Sequence, residues 1–292
     1  TGVPMDVRSL LLGLGFALMW SSAFTTSRMI VLDMAPLHAL AVRFLLAGLI
    51  GVGIAWALGQ RPRLDRAQWK ATIAFGICQN VIYLGCNFVA MQWVEASVAA
   101  IIASAMPLLV ALAGWLRGER LPPIGIAGLF AGLAGVIVIM GSRLSGGVDP
   151  LGVGLCLIAV AALAFAALTV RGASGGGNLL MVVGLQMLVG AAVLAIPALA
   201  FEPWRFEPNP RLFWAFAYTV LVPGLVATFV WFLLVGRIGP VRAATFHFLN
   251  PFFGVLIAAL LLGEAVGLWD IVGVVIVAGG ILAVQLSRAN PR

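Results

Sequence analysis

The chain has 292 residues, of which 63% are hydrophobic and only 9% charged, with a mean hydropathy of +1.13. A soluble domain carries roughly 25% charged residues, so this composition excludes one and leaves room for about ten apolar helices of roughly 20 residues. The net charge of +7 raises nucleic acid as a partner, but no basic run with interleaved aromatics accompanies it. The three cysteines, Cys78, Cys86 and Cys156, lie in apolar stretches without a CxxC pair. They read as small buried hydrophobes, and neither a disulfide framework, a metal site nor a cofactor is expected.

In chain order, the four residues before Met5 read as foreign to the fold, and the first apolar stretch reads as a retained membrane anchor. Spans are expected at 10–31, 36–58, 69–90, 95–115, 123–141, 150–170, 179–201, 212–235, 240–262 and 268–287. The first carries "WSSAFTTSR". Trp20 sits deeper than an interfacial belt and is a cavity candidate, whereas Ser21, Ser22, Thr25 and Thr26 have their own helix carbonyls to bond. The second span holds Arg43 about two turns in, where a cation needs an anionic or carbonyl partner. It reads as a structural clamp, with a substrate-carboxylate anchor as the alternative.

The third span contains "ICQNVIYLGCNFVA". On an α-helix, Asn80, Tyr83 and Asn87 share one face with Gly76 and Met91, while Gln79 points elsewhere. An amide in hydrocarbon costs several kcal/mol unless bonded, so this stripe faces protein or a cavity. Its donors and acceptors suit a zwitterion, with interhelical hydrogen bonding as the alternative. Later spans add Pro107, then Phe246, His247 and Asn250 just before Pro251. Each proline removes a helix hydrogen bond near mid-span and frees a carbonyl there. Gly128, Gly132 and Gly135 in span five, with Gly273 and Gly280 in span ten, predict close helix packing within the chain or in a homodimer.

Two stretches repeat. Val94 to Arg120 reads "VEASVAAIIASAMPLLVALAGWLRGER", and Ile238 to Ala265 reads "IGPVRAATFHFLNPFFGVLIAALLLGEA". Pro107 and Pro251 are 144 positions apart, and the Gly-Glu pairs at 118 and 263 are 145 apart. The chain therefore divides near Gly146–Pro150 into halves 1–146 and 147–292, each with five spans. An odd number of spans makes the halves cross in opposite senses. The expected fold is an all-α integral membrane protein, ten transmembrane helices arranged as an inverted repeat. With the N-terminus inside, twelve Lys and Arg fall on the inner side and four on the outer, which places both termini in the cytoplasm. A shift of 144 maps Asn80, Tyr83 and Asn87 onto Gly224, Ala227 and Trp231, a polar wall facing a roomy, aromatic one.

These features resemble the drug/metabolite transporter superfamily, specifically its EamA branch: paired mid-helix prolines, a "GE" closing spans four and nine, "WSSAF", "VRFLLAG" and "LNPFFGVLIAALLLGE". The likeness runs from Arg8 to Gln285 and is greatest to bacterial exporters of aromatic amino acids and methyl viologen. It implies export across the bacterial inner membrane by alternating access around a cavity built from both halves. It departs from the pattern where the second half lacks an Arg43 and where Val277 stands for Gly132.

The expected substrate contacts are Asn80, Tyr83, Asn87, Trp20, Trp231, Phe246, His247 and Asn250, with Arg43, Pro107 and Pro251 as structural or hinge positions. No Ser-His pair or paired carboxylates at depth point to an enzyme, and no ring of charge points to a channel. All ten acidic residues fall near span ends, leaving His247 as the titratable group at depth. The reading is facilitative export of aromatic and aliphatic amino acids. A proton-coupled multidrug or metabolite antiporter and a channel-like facilitator are the alternatives. The partners are the small-molecule substrate and the lipid bilayer, not nucleic acid, with the chain a monomer or homodimer.

Overall fold

In hydrocarbon every backbone N–H and C=O must be paired within the protein, and a helix does this along one segment. The helix starts are written locally. Asp6, Asp65 and Asn209 accept the backbone N–H three residues on, while Pro36, Pro123, Pro150 and Pro210 occupy first turns where no N–H is needed. The computed structural model describes residues 6–118, 122–145, 147–169, 178–238, 243 and 246–289. Glu119, Arg120, Arg171, Arg242 and Arg292, used in the repeat and the charge count, lie outside them, as do the side chains of Arg143 and Arg288.

The helices are α1 (Val7–Asp33), α2 (Pro36–Ala57), α3 (Arg66–Ala90), α4 (Ala96–Leu116) and α5 (Pro123–Ser145) in the first half. The second half has α6 (Pro150–Thr169), α7 (Leu179–Phe201), α8 (Pro210–Ile238), α9 (Phe246–Leu262) and α10 (Leu268–Ala289). Six are long and apolar enough to cross a membrane, and α5, α6, α9 and α10 are apolar over shorter stretches of described residues. Two helices start three residues before the expected spans, α1 at Val7 and α3 at Arg66, because the Asp6 and Asp65 caps draw them past their apolar stretches. Leu18, Leu49, Phe165, Leu199 and Leu260 are among many exposed apolar side chains, a surface suited to lipid.

The repeat reaches the backbone. Both α3 and α8 contain a π-helical segment, Gly76–Tyr83 and Val220–Val226, opening 144 positions apart (220 less 76). Such segments are rare and cluster at functional sites. In α4 the helix breaks at Ala105 and restarts with Pro107 in its first turn, while α9 opens as a 3-10 turn and becomes α-helical at Asn250 with Pro251 next. Gly118 and Gly263 then take positive φ, 88° and 68°, at the ends of α4 and α9.

The first helix of each half docks against the third and fourth of the other, α1 on α8 and α9, and α6 on α3 and α4. Beside this bundle run two paired seams, α2 with α7 and α5 with α10. Glycines let the backbones touch. A Cβ on Gly280 would stand 2.6 Å from the Gly128 carbonyl oxygen and the Gly132 Cα, and one on Gly184 would stand 2.7 Å from the Val52 nitrogen. The glycine faces of α5 and α10 are therefore used against each other inside one chain.

Candidate functional site

Toward the end of the bundle that holds the termini, rings from three helices converge. Phe16 and Trp20 lie one turn apart on α1, with ring centroids 5.5 Å apart. Trp231 of α8 lies 4.9 Å from Phe16 and 5.1 Å from His247 of α9, which meets Phe16 edge-on at 5.4 Å. Asn250 Nδ2 lies 2.8 Å from His247 Nδ1, so the amide and the imidazole share a hydrogen bond one turn apart on α9. Ser21 Oγ on α1 reaches the Asn250 carbonyl at 3.4 Å and its Oδ1 at 3.5 Å. Four of the expected residues, Trp20, Trp231, His247 and Asn250, are thus brought together. The Phe246 ring packs over Gly13, where a Cβ would meet it at 2.3 Å, in a small cluster against which Trp231 also packs. Phe16 escaped the sequence reading, although its spacing of four from Trp20 places both on one helix face.

The stripe on α3 divides. Asn80 Nδ2 donates to the Gln186 backbone carbonyl at 3.0 Å and to its Oε1 at 2.5 Å, tying α3 to α7. Gln79, expected to point away, is buried as well. Ordinary helix geometry already allows this: Gln79 stands four residues before Tyr83, about 40° away on an α-helical wheel. Tyr83 and Asn87 are almost fully buried, and Asn87 Nδ2 donates to the Tyr83 carbonyl at 2.9 Å, leaving Asn87 Oδ1 without a partner among the described residues. Arg43 of α2 joins them. Its guanidinium carbon lies 5.2 Å from the Phe44 ring and 5.8 Å from that of Phe88, the residue after Asn87. The protein partner expected of a clamp is not found for its Nε and Nη1, which have no hydrogen-bond acceptor among the described residues.

Hydroxyls join α1 to α8 between the two groups. Ser22 Oγ lies 2.9 Å from the Tyr218 hydroxyl and Thr219 Oγ1 lies 2.7 Å from Thr26 Oγ1, so these side chains do more than bond their own helix. At the end away from the termini, the second half holds the first. Glu202 accepts from the Leu37 and His38 backbone N–H at 2.9 Å each, and Glu264 accepts from those of Ala96 and Ser97 at 2.8 and 3.0 Å. Both carboxylates sit at helix N-termini, where the backbone dipoles favour negative charge. Arg205 donates to the carbonyls of Val31 and Leu32, and Arg211 pairs with Asp33 at 2.8 Å. At the terminal end Arg237 pairs with Asp6, and hydrogen bonds from Arg237 and Ser9 hold the Asp6 carboxyl well below the usual carboxylate range.

Comparison with known proteins places this architecture. The EamA-like transporter family model matches twice, at residues 7–141 and 150–286. The chain is 29% identical over 280 residues to the uncharacterized inner membrane transporter YedA of Escherichia coli K12, covering 92% of this chain and 89% of that one. It is 23% identical to the uncharacterized transporter YvbV of Bacillus subtilis, over 97% and 93%. The aromatic amino acid exporter YddG of Ancylobacter novellus matches at 32% over 138 residues, 47% of each chain. A solved crystal structure superposes with a TM-score of 0.69 at 21% identity, covering 97% and 99%, which is evidence of the fold alone. With two family matches over most of its length and ten apolar helices in two repeated halves, the chain belongs to the EamA-like transporter family, a membrane transporter and not an enzyme.

Proposed function

We propose that the protein exports amino acids and related small amphipathic metabolites across the bacterial inner membrane by facilitative alternating access, with both termini in the cytoplasm. The observation that carries this reading is the division of the interior into two unlike groups. Arg43, Tyr83 and Asn87 offer charge and amide chemistry, while Phe16, Trp20, Trp231 and His247 offer rings, a combination matched to a molecule with a polar head and an apolar body. The partial likeness to an aromatic amino acid exporter points the same way. The halves meet between residues 141 and 150, in keeping with units 1–146 and 147–292. Matching breaks before Pro107 and Pro251 suit them as hinges, and the carboxylate contacts of Glu202 and Glu264 suit a closed outer end.

Every described Asp and Glu lies in a connection or within about a turn of a helix end, so no described carboxylate is placed to relay a proton at depth. Proteoliposomes loaded with amino acids should show counterflow of labelled phenylalanine or leucine, with efflux that an imposed pH gradient barely changes. Proton-driven accumulation that is lost in His247→Ala would replace the facilitative mechanism with an antiporter. Efflux without counterflow would replace the carrier with a channel. Cysteines at the exposed positions Arg63 and Glu207 should label from opposite sides with an impermeant thiol reagent, and labelling from one side would overturn the assigned orientation.

A further inference from the structure

Arg43 is 3% exposed and Asn87 1% exposed, yet both carry hydrogen-bonding atoms that no described residue answers: Nε and Nη1 of the guanidinium, and Oδ1 of the amide. A cation buried without an acceptor is among the costliest groups a protein interior can hold, so a persistent one calls for a partner from outside the fold. The Arg211–Asp33 and Arg237–Asp6 ion pairs and the His38–Glu202 contact lie near helix ends, and none involves Arg43. The Phe44 and Phe88 rings stabilise the charge through their quadrupoles, but take up none of its N–H donors.

The amide is equally defined. Because Asn87 Nδ2 is committed to the Tyr83 carbonyl, the atom left over is an acceptor, the opposite of what Arg43 leaves over. The second half holds no copy of this pair. Positions 187 and 231, each 144 residues on, are Met and Trp, so the pairing is not a clamp that the repeat requires in both halves. We infer that Arg43 and Asn87 form the head-group site for a zwitterionic amino acid, the guanidinium binding its carboxylate and Asn87 Oδ1 accepting from its ammonium. This rests on the amino-acid reading above and names the atoms that would read the head group.

The test compares L-phenylalanine with phenylalaninamide, which lacks the carboxylate, and 3-phenylpropanoate, which lacks the ammonium. Each is measured as a competitor of phenylalanine counterflow and as a thermal stabiliser of purified protein in detergent. The wild type should favour phenylalanine over the amide, and Arg43→Gln should weaken phenylalanine on the order of 100-fold while leaving the amide unchanged. Arg43→Lys should lose less, and Asn87→Leu should erase the preference for phenylalanine over 3-phenylpropanoate. Equal competition by acid and amide in the wild type overturns the inference, as does an Arg43→Gln protein that keeps the ratio. Should Arg43→Gln fail to fold, the wild-type ligand series decides alone. If the wild type shows no amino-acid counterflow, the export reading fails separately. The thermal shift by 3-phenylpropanoate against 3-phenylpropanamide then decides the anion site, which falls if the carboxylate stabilises no better.

Discussion

The third helix of each half invites comparison, α3 against α8. They begin at Arg66 and Pro210 and enter their π segments at Gly76 and Val220, each pair 144 positions apart, and each π segment packs against the second helix of the opposite half. Close approach is not shared. A Cβ on Gly76 would meet the Gln186 carbonyl oxygen of α7 at 2.7 Å, whereas one on Gly224 would meet α2 only at Ala47, 4.0 Å away. The side chains part company. Where α3 carries Asn80, Tyr83 and Asn87, α8 carries Gly224, Ala227 and Trp231. Backbone path is therefore common property of the repeat, dictated by the packing of two equivalent halves, while interior chemistry lies where the halves have diverged. Only α3 needed a new partner for its amide, and Gln186 of α7 supplies it.

The most severe way to break the shared architecture is at its glycine seams. Gly280→Ala places a methyl 2.6 Å from backbone atoms of Gly128 and Gly132, which have no rotamer to yield. The change should cost several kcal/mol and abolish monodisperse protein in detergent size-exclusion chromatography. Gly279→Ala, with nothing within 4 Å of its added carbon, should elute and melt as wild type. Equal behaviour of the two would mean that the α5–α10 seam does not hold the halves.

A smaller effect tests the divergence between α3 and α8. Asn80→Ala removes both hydrogen bonds to Gln186 and leaves buried acceptors behind, so it should destabilise by about 1–3 kcal/mol, read as a lowered melting temperature. A variant that melts normally but no longer transports would return Asn80 to the substrate contacts. Milder still is the far end. Glu264→Ala deletes the carboxylate over the first turn of α4, worth roughly 0.5–2 kcal/mol as a cap, and should raise the labelling rate of Ser97→Cys by an impermeant thiol reagent. An unchanged rate would show that this contact does not govern access.

Much of the fold was legible because hydrocarbon leaves few choices. Apolar runs of about 20 residues, prolines in first turns and acidic caps fix where helices lie, and the paired prolines and Gly-Glu dipeptides expose the duplication. The candidate site was legible only in part. Trp20, Trp231, His247 and Asn250 were each visible as polar or aromatic residues at depth, and the structure gathers them. The α3 stripe was drawn too narrowly: Gln79 stands four residues before Tyr83, about 40° away on an α-helical wheel, and is buried with it, while nothing in "GICQNVIY" announces i→i+5 pairing.

The sequence by itself determined the solvent, the number of helices, the duplication and the opposed sense of its halves, because these follow from composition and from a repeat that survives in side chains. Tertiary structure decided which polar groups are satisfied. Asn80 and Arg43 look alike in one dimension, each a polar residue in an apolar span. One finds Gln186, 106 positions away, and the other leaves its Nε and Nη1 without a described acceptor. Partners across helices depend on which faces meet and at what depth, and those are properties of the packed bundle that no local spacing encodes.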